Sequence, residues 1–539
     1  MQTIILAAGK IDYTRLPFGM HQSNATIPVN GKPVISWILD DLITKEVNKV
    51  TIVVRIENNR LIQLLEKHYK KRVNLELVKV DEPKSILDSL HAGLLTIENT
   101  NEPIQIILGD TLIYDSYEAK EDMLYISNVK HSENWCVAIV DEKGELISLS
   151  DKKRTDGDSH LALCGYYCFS DISLLKNSLK ESLNIQAKEI STIILKYHSV
   201  KKMNLIHAEN WFDFGNLESF VNSKKSLLRP RHFNQLIIDP LLNTITKISN
   251  KNEKLEDELN WYSLLPEELK ILTPRIISRN TNSTQVTIIQ EFYGYPTLSE
   301  LFVYGDLSIS VWESIIHYLF EIHKLFSIYT KPVAIDSGKI IYIDKTQDRI
   351  NQLLLDVTWK EIWNHETINI NGKAFPNIAT LLKKLDTSIV NLTNIKTYTI
   401  IHGDYCLSNL LYDLNNQIIR MIDPRGSFGQ KGIYGDPRYD IAKLRHSVVG
   451  LYDCIVADLF TVSIEGNHFT YEMLEDEKNI ELEKYIDACI IKFGYDINEI
   501  KLIEALLFLS MIPYHADYPA RQQIMYITAH QKLFYLYEM

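Results

Sequence analysis

Residues 1–225 alternate short apolar runs with helical periodicities, and that alternation restricts the fold more than any other feature of the chain. The runs Thr3–Ala7, Val50–Val54, Leu75–Val80 and Ile104–Leu108 have the length and aliphatic content of buried strands. Between them, Val34–Leu42 and Leu61–Tyr69 place apolar residues at helical spacing. Strand–helix alternation predicts an α/β fold with a mostly parallel sheet and helices on both faces. In such sheets ligands gather beyond the carboxyl ends of the strands. The loops after Ala8 and Leu108 are therefore where a site is expected.

The pattern stops at Lys224-Lys225-Ser226-Leu227-Leu228-Arg229-Pro230-Arg231. Residues 226–231 read as a linker after a first domain at 1–225. Residues 232–296 read as a small mixed lobe, and 297–539 as mainly helical. In the latter, Val311, Ile315, Leu319, Ile322 and Phe326 recur at helical spacing as packing positions. A chain of 539 residues exceeds what a single core serves, which agrees with several domains.

Charge and cysteines exclude some classes. Lys and Arg total 57 against 69 Asp and Glu, a formal net charge of −12 that repels nucleic-acid phosphates and argues against such a partner. Cys136, Cys164, Cys168, Cys406, Cys454 and Cys489 form no C-x-x-C pair, so reduced thiols in a cytoplasmic protein are expected. Cys164 and Cys168, four apart, would share one face of a strand. No run reaches the ~18 apolar residues of a membrane span. The opening segment Met1–Gly9 lacks a basic lead and reads as a buried first strand, not a secretory signal.

The densest chemistry lies between residues 400 and 426. Two apolar strand-like stretches flank His402-Gly403-Asp404-Tyr405-Cys406-Leu407-Ser408-Asn409, and Ile422-Asp423-Pro424-Arg425-Gly426 follows. Phosphoryl transfer needs a carboxylate near the attacking hydroxyl and oxygen ligands that hold Mg²⁺ against the phosphates. Asp404 suits the first task; Asn409 and Asp423 suit the second. These elements resemble the aminoglycoside phosphotransferase and choline kinase group of protein-kinase-like enzymes, as does Gly435-Asp436-Pro437-Arg438-Tyr439-Asp440-Ile441-Ala442. The resemblance covers roughly 232–539 and implies a two-lobed α+β domain. It implies Asp404 as catalytic base, Asn409 and Asp423 as metal ligands, His402 as a brace, and Asp440 as a structural support of the loop. It also calls for a strand lysine on the ATP phosphates, for which Lys247 is the candidate. Glu258 is the candidate helix partner, with Glu256 as rival. Gln290, in Gln290-Glu291-Phe292, is the candidate adenine contact.

The first domain carries its own motifs. Leu6-Ala7-Ala8-Gly9, Arg15 and Pro28-Val29-Asn30-Gly31-Lys32-Pro33 resemble the opening of the sugar-phosphate nucleotidyltransferases, whose fold is Rossmann-like (GT-A-like). Backbone N–H groups at Ala8 and Gly9, with Arg15 as a catalytic cation, would cradle a nucleoside triphosphate. The segment Ser85–Leu94 resembles the helix start that contacts the base, which implicates Ser85, Asp88 and Ser89. Leu108-Gly109-Asp110 and Trp211-Phe212-Asp213-Phe214-Gly215 resemble the family's metal-binding segments, so Asp110 and Asp213 would hold Mg²⁺. Gly165, Tyr166 and Glu189 fall where acceptor contacts are found. Two departures stand out. The loop after Gly9 is longer and lacks a second glycine, and Asn24 stands where the family carries a lysine, with Lys10 or Lys32 as substitutes.

Taken together, the resemblances imply consecutive reactions on one chain. ATP would phosphorylate a sugar, polyol or amino alcohol, and a second NTP, with CTP favoured, would then give an NDP-activated precursor for capsule or another surface glycan. The partners implied are the small alcohol and its phosphate, without nucleic acid or membrane insertion. A homo-oligomer is compatible with this class. Two other readings are weighed: a nucleotide-binding sensor domain that regulates a kinase, and an antibiotic phosphotransferase, against which the fused nucleotidyltransferase motifs argue.

Overall fold

The computed structural model describes residues 2–538, apart from 11–22, 100, 116–121, 156, 228–233, 240, 250–251, 282–284, 306, 334–336 and 474–476. The chain separates into two compact units, Met1–Leu227 with Tyr304–Asp306, and Leu228–Val303 with Leu307–Met539.

The first unit is built on a nine-stranded sheet. Its centre is four parallel strands in the spatial order Asn74–Val80, Lys49–Arg55, Gln2–Leu6, Ile104–Leu108. Gln2–Leu6 is buried along its whole length, and Lys49–Arg55 everywhere but its ends. These strands therefore read as unbroken aliphatic runs rather than alternating ones. Helix Val34–Thr44 and the helical segments Asn59–Leu64 and Leu65–Tyr69 lie between them, as the periodicity predicts, and helix Ile86–Leu95 is a further connection. The expectation of a mostly parallel sheet needs correction. Beyond Ile104–Leu108 the sheet continues with His160–Phe169, antiparallel, and then with further antiparallel strands, so the sheet is mixed. Among these later strands Cys136–Val140 and His160–Phe169 are largely apolar, whereas Leu146–Asp151 and Asn204–His207 mix apolar and polar residues. Ile4, Leu6, Leu87, Leu90, Ile106, Phe169 and Ile193 form the core between the sheet and its helices.

The second unit begins with a four-stranded antiparallel sheet in the order Asn234–Asp239, Thr244–Ser249, Val286–Glu291, Ile276–Thr281. Helix Asn252–Leu264 packs Leu255 and Leu259 onto Val286 and Ile288. The remainder is mostly helical. The stripe read from Val311 to Phe326 lies on helix Ile309–Phe326, where Ile315, Leu319, Ile322 and Phe326 are buried. A second four-stranded sheet was not expected there. It joins the hairpins Thr367–Ile370 with Lys373–Pro376 and Phe460–Glu465 with His468–Met473.

All six cysteines are free, and five of them are buried. Among the described residues no helix is long and apolar enough to cross a membrane.

Candidate functional site

In the first unit the chemistry collects where the central strands end. Strand Ile104–Leu108 delivers Asp110, and the short strand Trp211–Asp213 delivers Asp213 by pairing antiparallel with Thr111–Ile113. Asp110 also accepts the Phe214 N–H on its backbone oxygen at 3.0 Å. The two carboxylates converge on Gly215: a Cβ built there would lie 3.4 Å from Asp110 Oδ2 and 3.4 Å from Asp213 Oδ1. Burial raises both carboxyl pKa values; for Asp213 the adjacent Asp110 charge adds to it and brings the group to about 7. Two desolvated carboxylates that repel each other favour a shared cation. Among the described residues no set of three or more His, Cys, Asp or Glu side chains is gathered for a metal. A pair of carboxylates that leaves room for phosphate oxygens and water is the arrangement Mg²⁺ accepts.

Asn24 is the residue the sequence left outside the site. Its Nδ2 donates to Asp110 Oδ2 at 2.9 Å, and its backbone N–H donates to Gly9 O at 3.2 Å, which ties the first loop to the metal-site loop. The proposed substitutes for the missing lysine are engaged elsewhere. Lys32 pairs with Asp40 and lies 4.0 Å over the Trp37 ring, while Lys10 pairs with Glu57 at 3.2 Å. Lys152 is a second addition, since its charge lowers the pKa of Asp110 through space.

The other expected residues are distributed as follows. Ala8 is buried and accepts Arg55 Nε on its backbone oxygen at 2.7 Å, and Gly9 is exposed next to it. Ser85 and Asp88 form a capping box: Asp88 Oδ2 accepts the Ser85 N–H at 2.9 Å and Ser85 Oγ accepts the Asp88 N–H at 3.3 Å. Their polar atoms thus serve the helix start first. Ser89 is buried one turn on. Gly165 sits at a register shift in His160–Phe169, beside Thr111 and Leu108, and Tyr166 is fully buried. Glu189 is exposed and starts helix Ile190–Val200. Arg15 lies outside the described residues.

In the second unit, Lys247, Glu258 and Asp423 meet. Strand alternation turns Lys247 to the side covered by helix Asn252–Leu264. On that helix Leu255, Glu258, Leu259 and Tyr262 are buried at helical spacing, whereas Glu256 is off the stripe. Lys247 Nζ accordingly pairs with Glu258 at 2.8 Å, and with Asp423 Oδ1 at 2.5 Å. Asp423 holds φ 56°, a left-handed conformation that a non-glycine residue keeps only where its surroundings enforce it. Gly426, at φ 65°, is required by close approach: a Cβ there would stand 2.0 Å from the Asp257 carbonyl oxygen.

Asp404 and Asn409 lie on the loop between Thr397–Ile400 and Leu410–Asp413. Asn409 Nδ2 donates to Asp404 Oδ2 at 2.9 Å and to the Asp404 backbone oxygen at 3.0 Å. Asp440 accepts the His402 and Gly403 N–H groups at 2.7 and 2.8 Å. His402 is buried and edge-on to Trp261, whose Nε1 donates to Ile401 O at 2.7 Å. Burial lowers the His402 pKa to about 4, so it is a neutral packing group. Gln290 is buried on Val286–Glu291, and among the described residues its Oε1 has no hydrogen-bond partner.

A residue absent from the sequence reading completes this group. Lys443, on helix Pro437–Val448, lies 3.0 Å from Asp404 Oδ1. Desolvation of Asp404 is outweighed by the Lys443 charge, and its carboxyl falls to about 2. No motif position marked Lys443; it follows Asp440 by three residues and so shares its helix face.

The nucleotidyl transferase family matches residues 2–229, so the N-terminal unit is a nucleotidyltransferase domain. The chain is 24% identical over 234 residues to the bifunctional protein GlmU of Methanocaldococcus jannaschii, covering 42% of this chain and 54% of that one. It is 25% identical over 224 residues to the UTP–glucose-1-phosphate uridylyltransferase AglF of Haloferax volcanii, covering 39% and 89%. The chain thus spans about half the length of the GlmU proteins it matches. A solved putative glucose-1-phosphate thymidylyltransferase from Bacillus anthracis aligns at a TM-score of 0.37 and 20% identity, over 44% of this chain and 98% of that one.

Proposed function

We propose that the chain is a bifunctional transferase, with a nucleotidyltransferase domain at 1–225, a linker at 226–231, and a kinase-like small lobe at 232–296 and large lobe at 297–539. The second unit moves the γ-phosphate of ATP to a small alcohol, and the first joins NMP from a second NTP, CTP favoured, to that phosphate. The product is an NDP-activated precursor for capsule or another surface glycan.

The kinase half rests chiefly on the ion-pair group of Lys247, Glu258 and Asp423, drawn from a strand, a helix and a loop. A strand lysine paired with a helix glutamate, with a metal-binding aspartate close by, is the arrangement that seats ATP phosphates in protein kinases. Asp404 is then the base beside the acceptor hydroxyl. Asn409 and Asp423 would hold Mg²⁺, which supplies charge neutralisation at the phosphates. In the first unit Asp110 and Asp213 would hold Mg²⁺ against the α-phosphate, with Ala8 and Gly9 beside the triphosphate. A sugar phosphate is the favoured acceptor, in keeping with what AglF is named for.

A second reading draws on Asn24, which keeps the contact with Asp110 but brings no charge. In it the first unit binds nucleotide without turnover and regulates the second. Pyrophosphate release separates the two. The full chain is given Mg²⁺, each of CTP, UTP, GTP and dTTP, and a panel of phosphorylated sugars and polyols. Release with one pair supports the bifunctional enzyme; no release with any pair, despite NTP binding, supports the regulatory domain.

A further inference from the structure

The face of the second unit next to Asp404 is cationic. Arg425 Nη1 donates to the Tyr439 hydroxyl at 3.0 Å, and Lys345 Nζ donates to the same oxygen at 3.5 Å. Lys443 lies one helical turn from Tyr439 and pairs with Asp404. Arg349 follows Lys345 by one turn on helix Lys345–Leu353 and stacks 4.2 Å over Tyr514.

Only one of these four cations has a carboxylate. Lys443 is neutralised by Asp404, while among the described residues no ion pair joins Lys345, Arg349 or Arg425 to an acidic side chain. Lys345 and Arg425 are both part-buried, and burial with the neighbouring Arg425 and Lys443 charges lowers the Lys345 pKa. Like charges gathered out of water are costly unless an anion joins them. The Asp404 side chain, by contrast, remains 40% exposed, so the base faces open space beside this cluster. The nearby carboxylates are occupied: Asp436 by Arg438 and Tyr342, and Asp440 by the loop N–H groups.

We infer that the alcohol phosphorylated by the second unit itself carries an anionic group, a carboxylate or a phosphate, seated on Lys345 and Arg425 while its hydroxyl reaches Asp404. The inference rests on the kinase reading above and narrows its acceptor class, setting amino alcohols aside. In the step, the acceptor oxygen bonds to the γ-phosphorus and the bond from that phosphorus to the β,γ-bridging oxygen breaks. ADP leaves, and the hydroxyl proton passes to Asp404 and then to water. A quaternary or primary ammonium would meet Lys345 and Arg425, which no carboxylate pairs among the described residues; an oxyanion would accept charge-assisted hydrogen bonds from both.

The test uses the full chain with Mg·ATP and five acceptors matched in size: glycerol, D-glycerate, sn-glycerol 3-phosphate, ethanolamine and choline. ADP formation above the acceptor-free rate is measured, alongside direct binding of a non-hydrolysable Mg·ATP analogue. The expected result is at least tenfold higher kcat/KM with glycerate or glycerol 3-phosphate than with glycerol, and none with the amines. Lys345→Met and Arg425→Gln should each raise the KM for the anionic acceptor about tenfold and leave affinity for the ATP analogue within twofold, with Lys345→Arg recovering most of the loss. Preference for choline, ethanolamine or glycerol overturns the inference and leaves the kinase reading intact. An equal loss of nucleotide affinity in the variants also overturns it, by assigning the cations to ATP. Failure of the unaltered chain to bind the ATP analogue sinks the kinase reading instead. In that case protection of the chain against thermal unfolding by glycerol 3-phosphate, abolished in Lys345→Met, still decides whether the cluster takes an anion.

Discussion

Lys443 Nζ stands 3.0 Å from Asp404 Oδ1, and this ion pair sets the protonation of the residue proposed as the base. Burial alone would raise the Asp404 pKa; the Lys443 charge and hydrogen bond reverse that and bring it to about 2. With a folded pKa below the unfolded value of about 3.9, the pair stabilises the unit above that pH, and the stabilisation is lost as pH falls through about 2.

Replacing Lys443 by Met removes the lowering charge and leaves the desolvation. The acid limb of kcat/KM for ADP formation should then move upward, towards neutral pH, while the alkaline limb stays in place. An unmoved acid limb would mean that Asp404 is not the group titrating in that profile.

In the first unit the sign is opposite. Burial and the Asp110 charge raise Asp213 to about 7, so its stabilising contribution is present at acid pH and lost as pH rises through about 7. Mg²⁺ should therefore raise the unfolding temperature of this unit more at pH 8 than at pH 6. Asp110→Asn should stabilise the metal-free protein at pH 8 and abolish the Mg²⁺ effect. Differential scanning calorimetry over the two pH values reads both; a metal effect equal at both pH values would count against the shared-cation site.

Lys247→Met removes the cation that stands between Glu258 and Asp423. Breaking a buried pair in this way costs on the order of 3–5 kcal/mol, and the second unit should unfold at lower denaturant while the first is unchanged. ATP-analogue binding should fall at least about 100-fold, a loss of roughly 2.7 kcal/mol. Glu256→Gln, the rival position, should do neither.

Gly426→Ala tests the loop that carries Asp423. Its Cβ has no room beside Asp257 O and its φ of 65° disfavours any side chain, so a loss of at least about 2 kcal/mol is expected. Chemical denaturation followed by Trp fluorescence checks this, with Gly372→Ala, also at positive φ but with nothing within 4 Å, as the smaller control.

What the sequence discloses follows from how local the signal is. Gln2–Leu6, Lys49–Arg55 and Ile104–Leu108 are legible because burial on both faces makes each a nearly continuous apolar run, whereas the edge strand Asn74–Val80 alternates and is only partly buried. The hairpin strands Thr367–Ile370 and His468–Met473 alternate polar and apolar residues and send no comparable signal, whereas Met123–Val129 and His160–Phe169 carry apolar runs whose antiparallel pairing the sequence does not disclose. Lys247 and Glu258 can be read because strand and helix periodicities each point them inward. Asn24 looks like a loss until its amide is seen on Asp110, 86 positions away. The cluster of Lys345, Arg425 and Lys443 comes from a helix, a loop and another helix, and only tertiary packing around Tyr439 brings it together.

If two separate sites act in sequence, one complementation measurement distinguishes their steps. Pyrophosphate release is followed with ATP, Mg²⁺, the active NTP and the unphosphorylated alcohol, using the unaltered chain, Asp404→Asn and Asp110→Ala. Release from the unaltered chain is expected only when ATP is present. None is expected from Asp404→Asn until the phosphorylated alcohol is supplied, and none from Asp110→Ala although ADP still forms. Pyrophosphate release by Asp404→Asn from the unphosphorylated alcohol, or loss of both activities in either variant, would contradict two sites acting in sequence.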